Sequence, residues 1–130
     1  MQKKSEKEAF SIVKRAKSFT HAGRGLWIVL KTTHNAWVHL CILLVAICFG
    51  VYYQISSVDW ILLVLAASIV LAAETLNTAI EIDIDLTSPD FHPFARDTKD
   101  VAAGAVLLTA IAAAVIGVII FAPYILNTNL

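Results

Sequence analysis

The sequence predicts an all-α membrane protein with an N-terminal amphipathic surface helix followed by three transmembrane helices. Two observations support this fold class. The 130 residues are 58% hydrophobic and 15% charged, with a mean hydropathy of +0.75, whereas soluble domains are roughly 45–50% apolar and about 25% charged. Three long apolar segments take up most of the chain, so little remains for a separate soluble core.

The charge balance argues against a nucleic-acid-binding protein. Ten Lys and Arg residues balance ten Asp and Glu residues. A protein that neutralises the phosphates of nucleic acid needs a basic surplus or a basic patch. We therefore expect no nucleic-acid partner.

The first element is a surface helix over residues 6–31. Its apolar residues recur at helical spacing among Lys and Arg, which suits a helix in the inner headgroup region of a membrane. Two interpretations stay open: the helix is a surface anchor only, or its basic face also attracts a polyphosphate. The apolar residues are Phe10, Val13, Ala16, Phe19, Leu26, Trp27 and Leu30.

The three apolar segments predict transmembrane helices over residues 36–53, 60–80 and 101–121. A membrane span needs about 20 mostly apolar residues. The third segment is rich in Ala and Gly, and small residues at four-residue spacing let membrane helices approach closely. We therefore expect the third span to pack against other helices.

The distribution of positive charge predicts the orientation in the membrane, because cytoplasmic loops collect Lys and Arg. Eight of these residues precede the first span, and the other two, Arg96 and Lys99, lie between the second and third spans. The loop that connects the first two spans contains no Lys or Arg, and neither does the C-terminal tail. The N-terminus is therefore expected inside the cell and the C-terminus outside.

A stripe of polar residues marks the end of the second span. Glu74, Asn77, Glu81 and Asp85 follow one another at spacings of three, four and four residues. At 3.6 residues per turn they fall within roughly 80° of one another around the helix axis. Asp83 falls on the opposite side and is left out of the stripe.

Depth in the membrane gives Glu74 its expected role. It lies about 21 Å from the start of its span, inside a hydrocarbon layer roughly 30 Å thick. An ionisable residue there normally marks a functional site or an internal pair, so Glu74 is a candidate general base for a lipid hydroxyl. Asn77 could orient that carboxylate or the hydroxyl. Glu81 and Asp85, nearer the cytoplasm, offer hard oxygen ligands for Mg²⁺.

The following loop, DFHPFARDTKD, supplies positive charge on the same side of the membrane. Phosphoryl transfer depends mainly on positioning and charge neutralisation, so Lys99 is expected to bind phosphate. His92 is kept as a candidate because it shares this loop. For Asp100, complementing a helix dipole is an open alternative to a role in the site. The chain has no Walker loop and no kinase catalytic-loop motif.

These residues resemble the prokaryotic diacylglycerol kinase family, small three-span membrane kinases that include undecaprenol kinases. The resemblance rests on ETLNTAIEIDIDL followed by HPFARDTKDVAAGAVLL. The forms NTAIE and KDVAAGAVL are more similar to the undecaprenol kinase branch. The resemblance implies a homotrimer in the bacterial cytoplasmic membrane, with active sites between subunits that use Mg²⁺ and ATP to phosphorylate a lipid alcohol.

The resemblance also implies roles for single residues. Glu74 would be the catalytic base beside Asn77, and Glu81 would hold both metal and ATP. Where the family usually has a Glu that shares the metal, this chain has Thr33, which offers a neutral hydroxyl. The other implied nucleotide contacts are Lys14, His21, Asp90, Phe91, His92, Lys99 and Asp100, and the implied lipid contacts are Trp27, Asn35 and Ala103.

Two other function classes remain as alternatives at the level of sequence. In an ion-coupled transporter, Glu74 and Asn77 would form a relay between packed spans. The outer halves of the three spans offer almost no polar groups to continue such a relay. In a non-catalytic membrane scaffold, the polar stripe would only form hydrogen bonds between helices.

Overall fold

The computed structural model describes residues 12–127, which form four helices and no strand. These are α1 (Ile12–Thr32), α2 (His34–Tyr52), α3 (Ser57–Thr87) and α4 (Pro93–Asn127). Helices α2, α3 and α4 are long and apolar enough to span a membrane. The all-α class with three such helices is therefore confirmed. Residues 6–11 of the predicted surface helix lie outside the described residues.

Helix α1 is exposed along nearly all of its length, and Val29 is its buried residue. It continues unbroken through the glycines at positions 23 and 25. The break before α2 comes at Thr33, which has an extended backbone with φ −115° and ψ 112°. The indole Nε1 of Trp37 donates to the carbonyl oxygen of Leu30 at 2.8 Å, which ties the two helices together across the break.

Helix α3 extends past both ends of the predicted span, from Ser57 to Thr87. Its start is fixed by a capping box, in which the Ser56 hydroxyl accepts from the Asp59 amide and the Asp59 carboxylate accepts from the Ser56 amide. Helix α4 likewise begins earlier than the predicted span. Pro93 is its first residue, a position where the missing amide hydrogen of proline has no cost.

The end of the bundle at the α2–α3 turn is closed by aromatic and polar contacts, which we call the terminal cluster: Phe49, Tyr53, Asp59, Phe121 and Tyr124. The rings of Phe49 and Phe121 meet edge to face with centroids 6.0 Å apart. The Tyr124 hydroxyl donates to the Asp59 carboxylate at 2.8 Å. These contacts join α4 to both α2 and the start of α3.

The buried face of α3 is a stripe along the middle of the helix, from Leu63 to Thr78, and the interface of α3 with α4 is the most extensive between the described helices. The stripe consists of Leu63, Ala66, Val70, Glu74, Asn77 and Thr78. It is apolar near the terminal cluster and polar toward the other end. The fold thus places one apolar and one polar half of the same helix face in the interior.

Candidate functional site

Glu74 is the central group of the site. Its side chain is 1% exposed, and neither carboxylate oxygen has a hydrogen-bond partner among the described residues. Burying a carboxylate without partners is costly. A group kept in this state on a membrane-spanning helix points to function.

Asn77 forms no hydrogen bond to the Glu74 carboxylate. Its amide Nδ2 donates to Oε1 of Glu81 at 3.1 Å, one turn further along α3. The Oδ1 atom of Asn77 is buried and has no hydrogen-bond partner among the described residues. Asn77 therefore restrains Glu81 while presenting an acceptor in the interior close to Glu74 on the stripe.

Thr33 and Thr78 join the α1–α2 junction to the polar stripe. Their hydroxyl oxygens are 3.0 Å apart, and the Thr78 hydroxyl also donates to the carbonyl oxygen of Glu74 at 2.9 Å. A hydroxyl has one hydrogen, so Thr33 is the donor to Thr78. The lone pairs of the Thr33 oxygen stay open to another ligand.

Two residues of the site are absent from the sequence prediction. Thr78 lies about 40° from Glu74 around the helix axis, so the same angular count that found the stripe could have included it. His39 on α2 lines the same apolar cavity as Val70, which lies about one turn before Glu74 on α3. Its position inside an apolar span was a signal, but only the packing of α2 on α3 shows which residue it faces.

A second group of site residues surrounds the turn between α3 and α4. They line a cavity of about 320 Å³, which we call the turn pocket. Lys99 donates through Nζ to Oδ1 of Asp85, and Arg96 lies 3.6 Å from Asp100. The pocket brings together six residues singled out in the sequence: Asp85, Asp90, Phe91, His92, Lys99 and Asp100.

The helix-dipole interpretation of Asp100 is wrong. Because α4 begins at Pro93, its first turn contains no acidic residue, and Asp100 lies about two turns inside the helix. His92 has the capping position instead: its Nδ1 accepts from the amide of Phe94 at 3.3 Å, and its carbonyl oxygen accepts from the amide of Arg96 at 3.1 Å. In the neutral imidazole this assigns the hydrogen to Nε2.

Five residues implied by the family resemblance lie apart from these two groups. None of them lines the turn pocket, and each is exposed. Three are on α1, one is at the start of α2 and one is on α4. They are Lys14, His21, Trp27, Asn35 and Ala103.

The described residues offer few ligands for a divalent metal ion. Among residues 12–127, no three His, Cys, Asp or Glu side chains are placed to hold one. Glu81 is half-buried with one oxygen engaged by Asn77, and Asp85 is paired with Lys99. Mg²⁺ commonly binds through one or two carboxylates plus substrate phosphates. The residues therefore fit a metal ion that arrives with a nucleotide.

Comparison with known proteins shows which family this chain belongs to. Residues 20–121 match the family model described as prokaryotic diacylglycerol kinase. The chain is 38% identical over 107 residues to the undecaprenol kinase of Bacillus subtilis, covering 82% of this chain and 87% of that protein. It is 34% identical over 111 residues to a Synechocystis diacylglycerol kinase, covering 85% of this chain and 63% of that protein. None of these matches supports a transporter or a scaffold.

Proposed function

The chain belongs to the prokaryotic diacylglycerol kinase family, whose members are lipid kinases, and from this premise we propose how its own residues perform the reaction. The γ-phosphoryl group of ATP is transferred to the hydroxyl group of a membrane lipid alcohol, undecaprenol or diacylglycerol. Glu74 is the catalytic base. The observation that carries this assignment is the buried carboxylate of Glu74, whose two oxygens have no hydrogen-bond partner among the described residues.

Glu74 accepts the proton of the lipid hydroxyl while the hydroxyl oxygen attacks the γ-phosphorus. The bond from that phosphorus to the bridging oxygen breaks, and ADP leaves with the bond electrons. A positioned general base contributes about 10²- to 10⁴-fold to such a step. Asn77, with its buried Oδ1, helps to orient the hydroxyl before proton transfer.

The turn pocket holds the nucleotide. Lys99 exchanges its carboxylate partner, Asp85, for phosphate oxygens, so Asp85 keeps Lys99 in place before ATP binds. His92 donates from Nε2, while Asp90, Phe91 and Asp100 line the rest of the nucleotide site. The basic face of α1 contributes Lys14 and His21, which favours the interpretation of α1 as both anchor and part of the site.

Mg²⁺ would be held by Glu81 together with the Thr33 hydroxyl. When bound, it neutralises charge on the transferring phosphates. The chain's contribution is to fix Glu81 through Asn77 and Thr33 through Thr78. Asp85 supports this arrangement one turn beyond Glu81.

The active protein is a homotrimer with sites shared between subunits. The positions of Lys14, His21, Trp27, Asn35 and Ala103, all exposed on one chain, support this proposal, because a neighbouring subunit could cover them. The protein lies in the bacterial cytoplasmic membrane with its N-terminus inside, as the Lys and Arg distribution indicates.

A phosphoryl-transfer assay tests the proposal. The purified protein is incubated in mixed micelles with γ-labelled ATP, Mg²⁺ and either undecaprenol or diacylglycerol. We expect the label to appear in a lipid phosphate, and only when lipid, ATP and protein are all present. Absence of transfer to both alcohols, by protein that remains folded in circular dichroism, would contradict it.

A further inference from the structure

Arg96 is a charged residue of the turn pocket to which the proposed reaction gives no role. It is the fourth residue of α4, and it lines the pocket together with Lys99. The two residues are three positions apart, so their side chains are neighbours on the surface of the helix. The turn pocket therefore presents two neighbouring cations to a ligand.

The ion pair between Arg96 and Asp100 contributes little to the stability of α4. The two groups are 3.6 Å apart, and their side chains are 70% and 71% exposed. Exposed pairs of this kind are weak because water screens them. The order of the charges is also the less favourable one, since the cation lies nearer the N-terminus of the helix than the acid does. Arg96 can thus exchange Asp100 for another anion with little loss of stability.

The charges of the turn pocket favour a second cation for binding a nucleotide. Three carboxylates line the pocket, those of Asp85, Asp90 and Asp100. Without Arg96, the ammonium group of Lys99 would have to offset these acids and the phosphates of the nucleotide. The planar guanidinium group of Arg96 can donate to two oxygens of one phosphate group, which an ammonium group does less well.

The position of Arg96 along α4 indicates which phosphates it reaches. A short turn joins α3 to α4, and the two helices pack against each other, so they run antiparallel. Lys99 pairs with Asp85 of α3. Arg96 precedes Lys99 by about 4.5 Å along the helix axis, which places it farther from Glu74. The transferred phosphoryl group must lie near the base, so Arg96 is nearer the phosphates that remain on ADP.

We propose that Arg96 is a second phosphate-binding residue, which holds the phosphates that remain on ADP. This inference rests on the proposed function. Asp100 restrains Arg96 before the nucleotide binds, and phosphate oxygens then replace the carboxylate of Asp100. Lys99 lies nearer the transferred group.

The first test measures nucleotide affinity without lipid, by displacement of a fluorescent ATP analogue. Arg96→Gln should weaken ATP and ADP by a similar factor of about tenfold, because both nucleotides lose the same charge-assisted hydrogen bonds. Arg96→Lys keeps the charge but loses the planar donor group, so its affinities should be intermediate. Arg24→Gln is the control, since it removes the same charge from an exposed position of α1 outside the pocket. It should bind both nucleotides as the unchanged protein does.

Steady-state kinetics gives a second readout. In Arg96→Gln the KM for ATP should rise about tenfold, while kcat at saturating ATP changes by less than about twofold. A loss of affinity confined to ATP, or a large fall in kcat, would place Arg96 at the transferred group and contradict the inference. Unchanged affinity for both nucleotides would remove Arg96 from the site. The Tm should be retained, because the side chain is exposed.

A double-mutant cycle tests the restraint by Asp100. Asp100→Asn should change the affinity for ATP in the otherwise unchanged protein and should have no further effect in Arg96→Gln, because its effect passes through Arg96. An equal change in both backgrounds would contradict this role and make Asp100 a direct contact of the nucleotide.

Comparison with Lys99→Met separates this inference from the proposed function. If Lys99→Met lowers the affinity for ATP and Arg96→Gln does not, the turn pocket holds the nucleotide and only the role of Arg96 is wrong. If neither variant lowers the affinity, the turn pocket is not the nucleotide site, and that part of the proposed function fails as well.

Discussion

At the scale of single residues, the site depends on which polar groups are already engaged. Glu81 is restrained by Asn77, Lys99 by Asp85, and Thr33 by Thr78. Glu74 alone among the acidic residues of the stripe is fully buried, with neither oxygen hydrogen-bonded within the described chain. This difference is the reason for proposing Glu74 as the base and the engaged groups as those that hold nucleotide and metal.

Because Thr33 offers a neutral hydroxyl in place of a carboxylate, we expect the protein to bind a free metal ion weakly. The Thr33→Glu variant places a carboxylate beside Thr78, as the second acid of the metal site proposed with Glu81. Mn²⁺ binding without nucleotide should therefore become at least about tenfold tighter, equivalent to about 1.4 kcal/mol. Electron paramagnetic resonance of free Mn²⁺ measures this affinity. Thr32→Glu is the matched control, since Thr32 is exposed and bonds only to its own helix. Equal affinities for the two variants would contradict the placement of Thr33 at the metal site.

The proposed role of Lys99 in the nucleotide site predicts that its substitution lowers the affinity for ATP. Removing its charge in Lys99→Met should weaken ATP binding by about 10- to 100-fold, because hydrogen bonds to charged groups contribute about 1.5–3 kcal/mol. Binding of a fluorescent ATP analogue reports the change. Lys31→Met, at an exposed position at the end of α1, should have affinity close to that of the unchanged protein. An unaltered affinity in Lys99→Met would remove Lys99 from the nucleotide site.

At the scale of elements, helical periodicity predicted the polar stripe of α3 because buried residues recur at three- and four-residue spacing. Helical periodicity did not predict where the helices begin. The spans were drawn around apolar residues, whereas the helices begin at the capping box of Ser56 and at Pro93. The misassigned role of Asp100 follows from this, since the sequence placed the start of α4 too late.

The close approach of α2 and α3 predicts an effect on stability. A Cβ atom at Gly50 would lie 2.8 Å from the Trp60 ring and 3.1 Å from Ile55. Gly50→Ala should therefore destabilise the fold by about 1–3 kcal/mol through overpacking, seen as a lower Tm in detergent. Gly104→Ala, where the added atom meets nothing within 4 Å, should be neutral or stabilising. The opposite order of the two Tm values would contradict the packing described for this turn.

At the scale of the whole molecule, the 58% hydrophobic composition and its division into three long apolar segments predicted three spans, because a membrane span needs about 20 mostly apolar residues. The composition and the local sequence pattern do not predict contacts between distant segments of the chain. The Thr33 to Thr78 hydrogen bond and the edge-to-face contact of Phe49 with Phe121 each join helices whose relative rotation no local pattern specifies.

The orientation in the membrane gives a prediction for the intact protein. With the two native cysteines, Cys41 and Cys48, replaced by alanine, a single cysteine is introduced at Gln54 or at Ser88. An impermeant maleimide added to intact cells should label Gln54→Cys and should label Ser88→Cys only after the cells are opened. The reverse pattern would place the nucleotide pocket outside the cell and contradict the topology.

The most direct test of the account is phosphoryl transfer by Glu74→Gln beside Asp83→Asn, an exposed acid on the opposite face of α3. Loss of the general base should lower kcat for lipid phosphorylation by at least about 100-fold while ATP affinity and the Tm are retained. Asp83→Asn should keep nearly full activity. A Glu74→Gln variant that phosphorylates lipid as fast as the unchanged protein would contradict the assignment of Glu74 as the base.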